Sequence, residues 1–177
     1  MKQIAGYVMV FISLCLISAC QSNKRANNYN KQPAVNAREE VFLKNAAEAS
    51  NAFVKISGLA ISNSKDQQVL QFAKMMIDGH TQLAADLQKL QTDNFVVPTD
   101  SISTAHRQIV DNLGKRRALE FDKAYLQEII NEYETEIKQY DFAGQYRSPN
   151  IADFAQKALP ALKAHLDSAK AISVALK

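Results

Sequence analysis

Three side chains could ligate a metal from inside a helical protein: His80, His165 and Asp122. Each occupies a place where an apolar residue is expected. Around His80 the apolar residues fall at Val69, Ala73, Met76, Leu83, Leu87 and Leu90, in steps of three and four, and His80 fills the gap between Met76 and Leu83. That spacing is the buried stripe of an amphipathic helix. His165 interrupts a similar stripe of Ala158, Leu162, Ala169 and Ile172, and Asp122 heads a stripe of Leu126, Ile129, Tyr133, Ile137 and Tyr140. Neutral imidazoles are good ligands for zinc, copper or iron, and bundle cores build metal sites from facing side chains. The competing reading is that both histidines are buried polar groups satisfied by hydrogen bonds to Tyr133, Tyr125 or Asp122.

A ferritin-type di-iron centre takes a Glu from each of two helices and Glu-x-x-His from each of the other two. Ile77 stands three residues before His80 and Leu162 three before His165, so that motif is absent from both helices. What remains is a mononuclear site at His80, His165 and Asp122, with Tyr133 and Tyr125 behind it, and weak binding of a divalent ion at most. His106 reads as a surface residue, Glu132 and Glu134 as solvated charges, and Met75 with Met76 as core filler. No Ser, His and acid arrangement and no Gly-rich phosphate loop can be read from the spacing, which argues against catalysis.

The elements that hold these residues are four long helices. Asn36 followed by Glu39 makes a capping box for the first, whose stripe is Phe42, Ala46, Ala49, Phe53, Ile56 and Ala60. Ser64 with Gln67 reads as a second capping box, opening the helix of His80, which runs to about Gln91. Ser101 to Leu113 forms a short extra helix in the next connection, with Gly114 as its C′ stop. The third long helix runs from near Lys115 to about Phe142. Ser148 and Pro149 open the fourth as N-cap and first residue. Pro160, inside that helix, should kink it or loosen a turn. The fold is all-α, a ferritin-like up-and-down four-helix bundle. His80 lies sixteen residues after Ser64 and His165 seventeen after Ser148. With the second and fourth helices running the same way, the two rings reach one layer, which Phe53 and Tyr133 complete.

The address is written before the bundle. Residues 1–19 form a signal peptide: Lys2, an apolar run over 4–17 too short to span a bilayer, then Leu16-Ile17-Ser18-Ala19-Cys20. This resembles the bacterial lipobox, whose Cys is lipidated and becomes the mature N-terminus. The resemblance implies acyl chains, palmitate among them, on Cys20, and attachment to the membrane through them. Gln21 and Ser22 follow where an Asp would signal retention, so the resemblance implies the outer membrane, facing the periplasm. Residues 20–37 read as a flexible tether, being Asn, Lys, Gln and Ser with little to bury, and 38–177 as the bundle. Cys15 leaves with the signal and Cys20 carries lipid, so thiol chemistry and disulfides are excluded. The net charge of +3 gives no support to nucleic acid as a partner.

Three motifs, at Phe72 to His80, Phe121 to Tyr125 and Leu159 to Leu166, together resemble the bacterial family called domain of unknown function 4142, over Val41 to Leu176. That resemblance implies a ferritin-like bundle in an outer-membrane protein of no settled activity. It also implies an acidic residue where this chain has Phe53, Asp-His where it has Gly79-His80, and a His where it has Tyr133. Of the polar positions that could bind metal in the family, His80, Asp122 and His165 remain. The reading is therefore a lipid-anchored, non-catalytic binding or structural module of unnamed protein or small-molecule partner. A metal-binding or oxidative-stress protein with a degenerate site at His80 and His165 is the rival.

Overall fold

A computed structural model describes residues 35–98 and 100–176; the expected signal peptide, Cys20 and the expected tether as far as residue 34 lie outside the described residues. Helices account for most of what is described: α1 (Ala37–Gly58), α2 (Ala60–Asn63), α3 (Gln67–Asp93), α4 (Thr104–Gly114), α5 (Ala118–Ala143) and α6 (Pro149–Ala175). The expected all-α, ferritin-like four-helix bundle stands, built from α1, α3, α5 and α6, with α4 as the extra helix. α1 pairs closely with α3, and α5 with α6. Their apolar stripes meet in one core that includes Leu43, Ile56, Met76, Leu87, Leu126 and Ile129, all at or near zero exposure.

Helix ends follow local chemistry. Asn36 Oδ1 accepts from the backbone N–H groups of Arg38 and Glu39, while Glu39 Oε2 accepts from Asn36 N at 2.9 Å, which completes the expected capping box. The other Glu39 oxygen accepts from Ser148 N at 3.3 Å and ties the start of α1 to the start of α6. Ser148 is the N-cap residue of α6 and Pro149 its first position, but the Ser148 side chain makes no capping bond.

The cap of α3 differs from expectation. Asp66, not Ser64, accepts from the N–H groups of Gln68 and Val69, at 2.8 and 3.1 Å. A carboxylate satisfies two of these donors and also faces the positive end of the helix dipole. Ser64 Oγ accepts from Asp66 N one step earlier, at 3.1 Å. Gly114 likewise is not a left-handed C′ residue: it is the last residue of α4, and the positive φ values fall on Phe95 and Ala118. The reversal at residues 115–117 therefore starts the third long helix at Ala118. Pro160 lies inside α6 on its exposed side, and the helix continues through it to Ala175.

Helix direction is the larger correction. Asn150, at the start of α6, donates to Asn94, just past the end of α3, at 3.1 Å, so these two helices run in opposite senses. Ser57, near the end of α1, shares a 2.9 Å hydrogen bond with Tyr125, near the start of α5, while Phe42 and Tyr140 meet edge to face at the other end. α1 and α5 are thus antiparallel, α3 and α5 parallel, and residues 94–117 form a crossover along the bundle. α4 travels in that crossover and packs on α1 and α5. His80 and His165 still come level, because each sits near the middle of a 27-residue helix, and a central residue keeps its height whichever way the helix points.

Candidate functional site

At mid-height the core is polar and aromatic. His80 is 1 % exposed, Phe53 2 % and Tyr133 0 %, while His165 is half-buried. The Tyr133 hydroxyl lies 2.7 Å from His80 Nε2 and 2.9 Å from His165 Nδ1. It also sits 3.0 Å from Met76 Sδ. Phe53 stacks on both His80 and Tyr133, with ring centroids 4.3 and 4.7 Å apart. The layer of Phe53, His80, Tyr133 and His165 is the one expected.

Its protonation follows from counting donors. A phenol has one proton and accepting lone pairs, and a neutral imidazole has one N–H and one bare nitrogen. Burial, with His165 nearby, drives the His80 pKa down to about 3, so this ring is neutral. Burial also lowers His165 and raises Tyr133 far above the ordinary phenol range, which keeps the hydroxyl protonated. His80 Nδ1 has no partner. A stranded N–H is harder to accommodate than a stranded lone pair, so the proton belongs on Nε2, donating to Tyr133. Tyr133 then donates to His165 Nδ1, a better acceptor than the Met76 thioether. His165 keeps its proton on Nε2, beside a cleft of about 260 Å³ between α3 and α6 that Asp86 and Gln82 also line.

Gly79 makes room for this. A Cβ there would stand 3.3 Å from His165 Cε1, so with a side chain at this position the ring would have to give by a few tenths of an ångström. The departures noted at residues 79 and 133 act together: the glycine admits the ring and the phenol bonds it.

The other expected site residues are elsewhere. Asp122 is buried beside the start of α3, where Ser64 hydrogen-bonds it; burial raises its pKa, with Asp66 adding to the rise. It precedes Tyr133 by eleven residues, about 16 Å of helix, and does not join the histidines. Tyr125 bonds Ser57 and no histidine. A ferritin-type metal centre does not fit these residues. The layer holds no carboxylate, both imidazoles are engaged by one phenol, and among the described residues no three His, Asp or Glu side chains form a group able to hold a metal. A dication placed there would lose its water without charge compensation.

His106 is not the surface residue expected. Its side chain, 13 % exposed, bridges α4 to α1 and α5: Nδ1 lies 2.6 Å from Glu48 Oε1 and Nε2 3.2 Å from Glu132 Oε2. The hydrogen bond to Glu132, with that to Glu48, raises its pKa to about 9 against the opposing effect of burial, making it a cation that bridges two acids. Below them Glu136 is buried with neither carboxylate oxygen bonded; burial, and Glu132 nearby, push its pKa up to about 8. Glu132 is thus not a solvated charge, whereas Glu134 is, in an exposed pair with Lys170 at 2.8 Å. One signal was present: Glu136 follows Tyr133 by three residues, a stripe position as good as Ile137. The partnership with His106 had none, because it depends on the path of the crossover.

A family model described as "Domain of unknown function (DUF4142)" matches residues 24–172. The chain belongs to that family. No curated protein matches this DUF4142 chain. Among solved structures it is similar to a DUF305 fragment from Deinococcus radiodurans, with TM-score 0.73 and 12 % identity over 81 % of this chain and 100 % of that one. At that identity the likeness speaks for a shared helical fold and nothing finer.

Proposed function

We propose that this DUF4142 protein is a lipid-anchored component of the cell envelope. Its bundle serves as a non-catalytic binding or structural module on the periplasmic side of the outer membrane. One observation carries the non-catalytic reading: His80, Tyr133 and His165 engage one another and so hold α3, α5 and α6 at one level. The address rests on Cys20 after Leu16-Ile17-Ser18-Ala19 and on Gln21 in place of Asp. No helix among the described residues is long and apolar enough to cross a membrane. Replacing Cys20 with Ser is expected to leave an uncleaved precursor that takes up no labelled palmitate. Normal processing of that variant, or undiminished labelling, would remove the anchor from the reading.

A second reading, a weakly held divalent ion, is favoured by the partnerless His80 Nδ1 and by His165 lining an open cleft. Zinc and copper titration of the chain from residue 20, against the same chain with His80→Ala and His165→Ala, separates the two. The expected result is substoichiometric metal in both. Stoichiometric metal that disappears in the double variant would make the metal reading the right one.

A further inference from the structure

Away from the polar layer, the start of α1 and the end of α5 enclose a groove of about 580 Å³, within the range of small-molecule sites. Phe42 and Tyr146 lie in it, edge to face with centroids 6.0 Å apart, and Phe142 meets Tyr146 edge on at 5.5 Å. Val41 and Phe142 remain 54 % and 52 % exposed. Isolated apolar residues at a surface need no explanation, but here two of them share one concave lining with Phe42 and Tyr146. The charge is one-sided. Among the described residues Arg38 and Lys138 line the groove and no carboxylate does. Glu134, one turn from Lys138, is taken by Lys170.

Apolar walls with cations and no acid suit an amphiphile with an acyl chain and an anionic head. The position of the groove narrows the source. Ala37, the first residue of α1, lines it, so the chain arriving from Cys20 reaches the bundle at the groove itself. Fourteen residues separate Cys20 from Val35, a leash of at most about 50 Å when fully extended. An anchor at Cys20 therefore holds this groove close to a bilayer and raises the local concentration of its lipids.

We propose that the groove takes an acyl chain of an anionic phospholipid from that bilayer, with Arg38 and Lys138 countering the headgroup phosphate. This deepens the anchored-module reading, on which it rests for the nearness of the membrane. The chain's own acyl groups are the weaker choice, because an acylated cysteine would leave both cations without an anion.

The test uses the chain from residue 20 with Cys20→Ser, mixed with phosphatidylcholine vesicles with and without phosphatidylglycerol carrying a photoreactive acyl chain. Binding to the anionic vesicles is expected, with cross-links mapping to Val41, Phe42, Phe142 and Tyr146. Val41→Ser with Phe142→Ser should lower the cross-link yield about tenfold, since an acyl chain loses most of its apolar contact there. Arg38→Gln with Lys138→Gln should weaken binding to anionic vesicles about fivefold per cation, without changing binding to phosphatidylcholine. All four residues are exposed, and unchanged circular dichroism would confirm that the variants fold.

Equal binding to both vesicle types, or cross-links outside the groove, would overturn the proposal. So would cross-links to a second copy of the chain, or competition by free palmitate that matches the phospholipid. Because this chain has no anchor, the result stands apart from palmitate labelling of Cys20, and either can fail without the other.

Discussion

Tyr133→Phe is expected to lower the unfolding free energy by about 2–4 kcal/mol, read as a shifted urea midpoint at unchanged slope. The hydroxyl bonds His80 Nε2 and His165 Nδ1, and His80 Nδ1 is already without a partner. Removing it leaves a fully buried imidazole with neither nitrogen bonded, and a stranded buried donor or acceptor costs about 1–3 kcal/mol beyond the lost bonds. His165 contributes less, since it lines an open cleft where water replaces the phenol. The loss should be reversed in part by a second change, Tyr133→Phe with His80→Leu, because the polar group left stranded is then gone. This non-additivity is the signature of a coupled pair. A loss below about 0.5 kcal/mol in the single variant would show that the hydroxyl does not hold the layer together.

The second large effect is on pH dependence, and it has two limbs. His80 has its pKa lowered from 6.5 to about 3 by burial, so the folded chain refuses a proton that the unfolded chain accepts. Its contribution to stability is present above pH 6.5 and is lost as the pH falls toward 3. Glu136 has its pKa raised from 4.5 to about 8, so its contribution is present below pH 4.5 and is lost as the pH rises through 8. Each limb is on the order of 5 kcal/mol, because every tenfold change in proton affinity is worth about 1.4 kcal/mol. His106, raised from 6.5 to about 9 by its two glutamates, adds to the alkaline limb between those values. Partial exposure discounts that share to roughly 1–2 kcal/mol.

Between pH 4.5 and 6.5 the His80 and Glu136 limbs oppose each other, so stability should be nearly level there and fall on both sides. Urea midpoints across the pH range are the measurement. Glu136→Gln should flatten the descent between pH 6.5 and 8, leaving only the shallower His106 share, and His80→Leu should make the acid side shallower, leaving the share of His165. An unchanged alkaline descent in Glu136→Gln would place its cause outside this cluster.

Much of this protein follows from short-range pattern, because helix periodicity and capping are local. The steps of three and four around His80 and His165 identify two buried helix faces, and Asn36 with Glu39 starts α1, all without reference to distant residues. The all-helical bundle follows from those stripes, whereas the polar layer of Phe53, His80, Tyr133 and His165, expected from parallel second and fourth helices, forms between antiparallel ones because His80 and His165 each sit near mid-helix. Choosing between Ser64 and Asp66 as the cap of α3 required the actual turn, since both side chains can accept from a backbone N–H and only geometry decides which reaches two. Helix direction was beyond local pattern altogether. A stripe looks the same from either end, and nothing in residues 94–117 says whether the chain turns back at once or crosses the bundle. That single path decided the rest. By crossing, the chain laid α4 over α1 and α5 and drove His106 between Glu48 and Glu132, above the unpaired acid of Glu136. It also set the start of α5 beside the start of α3, where Asp122 meets Ser64 and stays clear of the histidines.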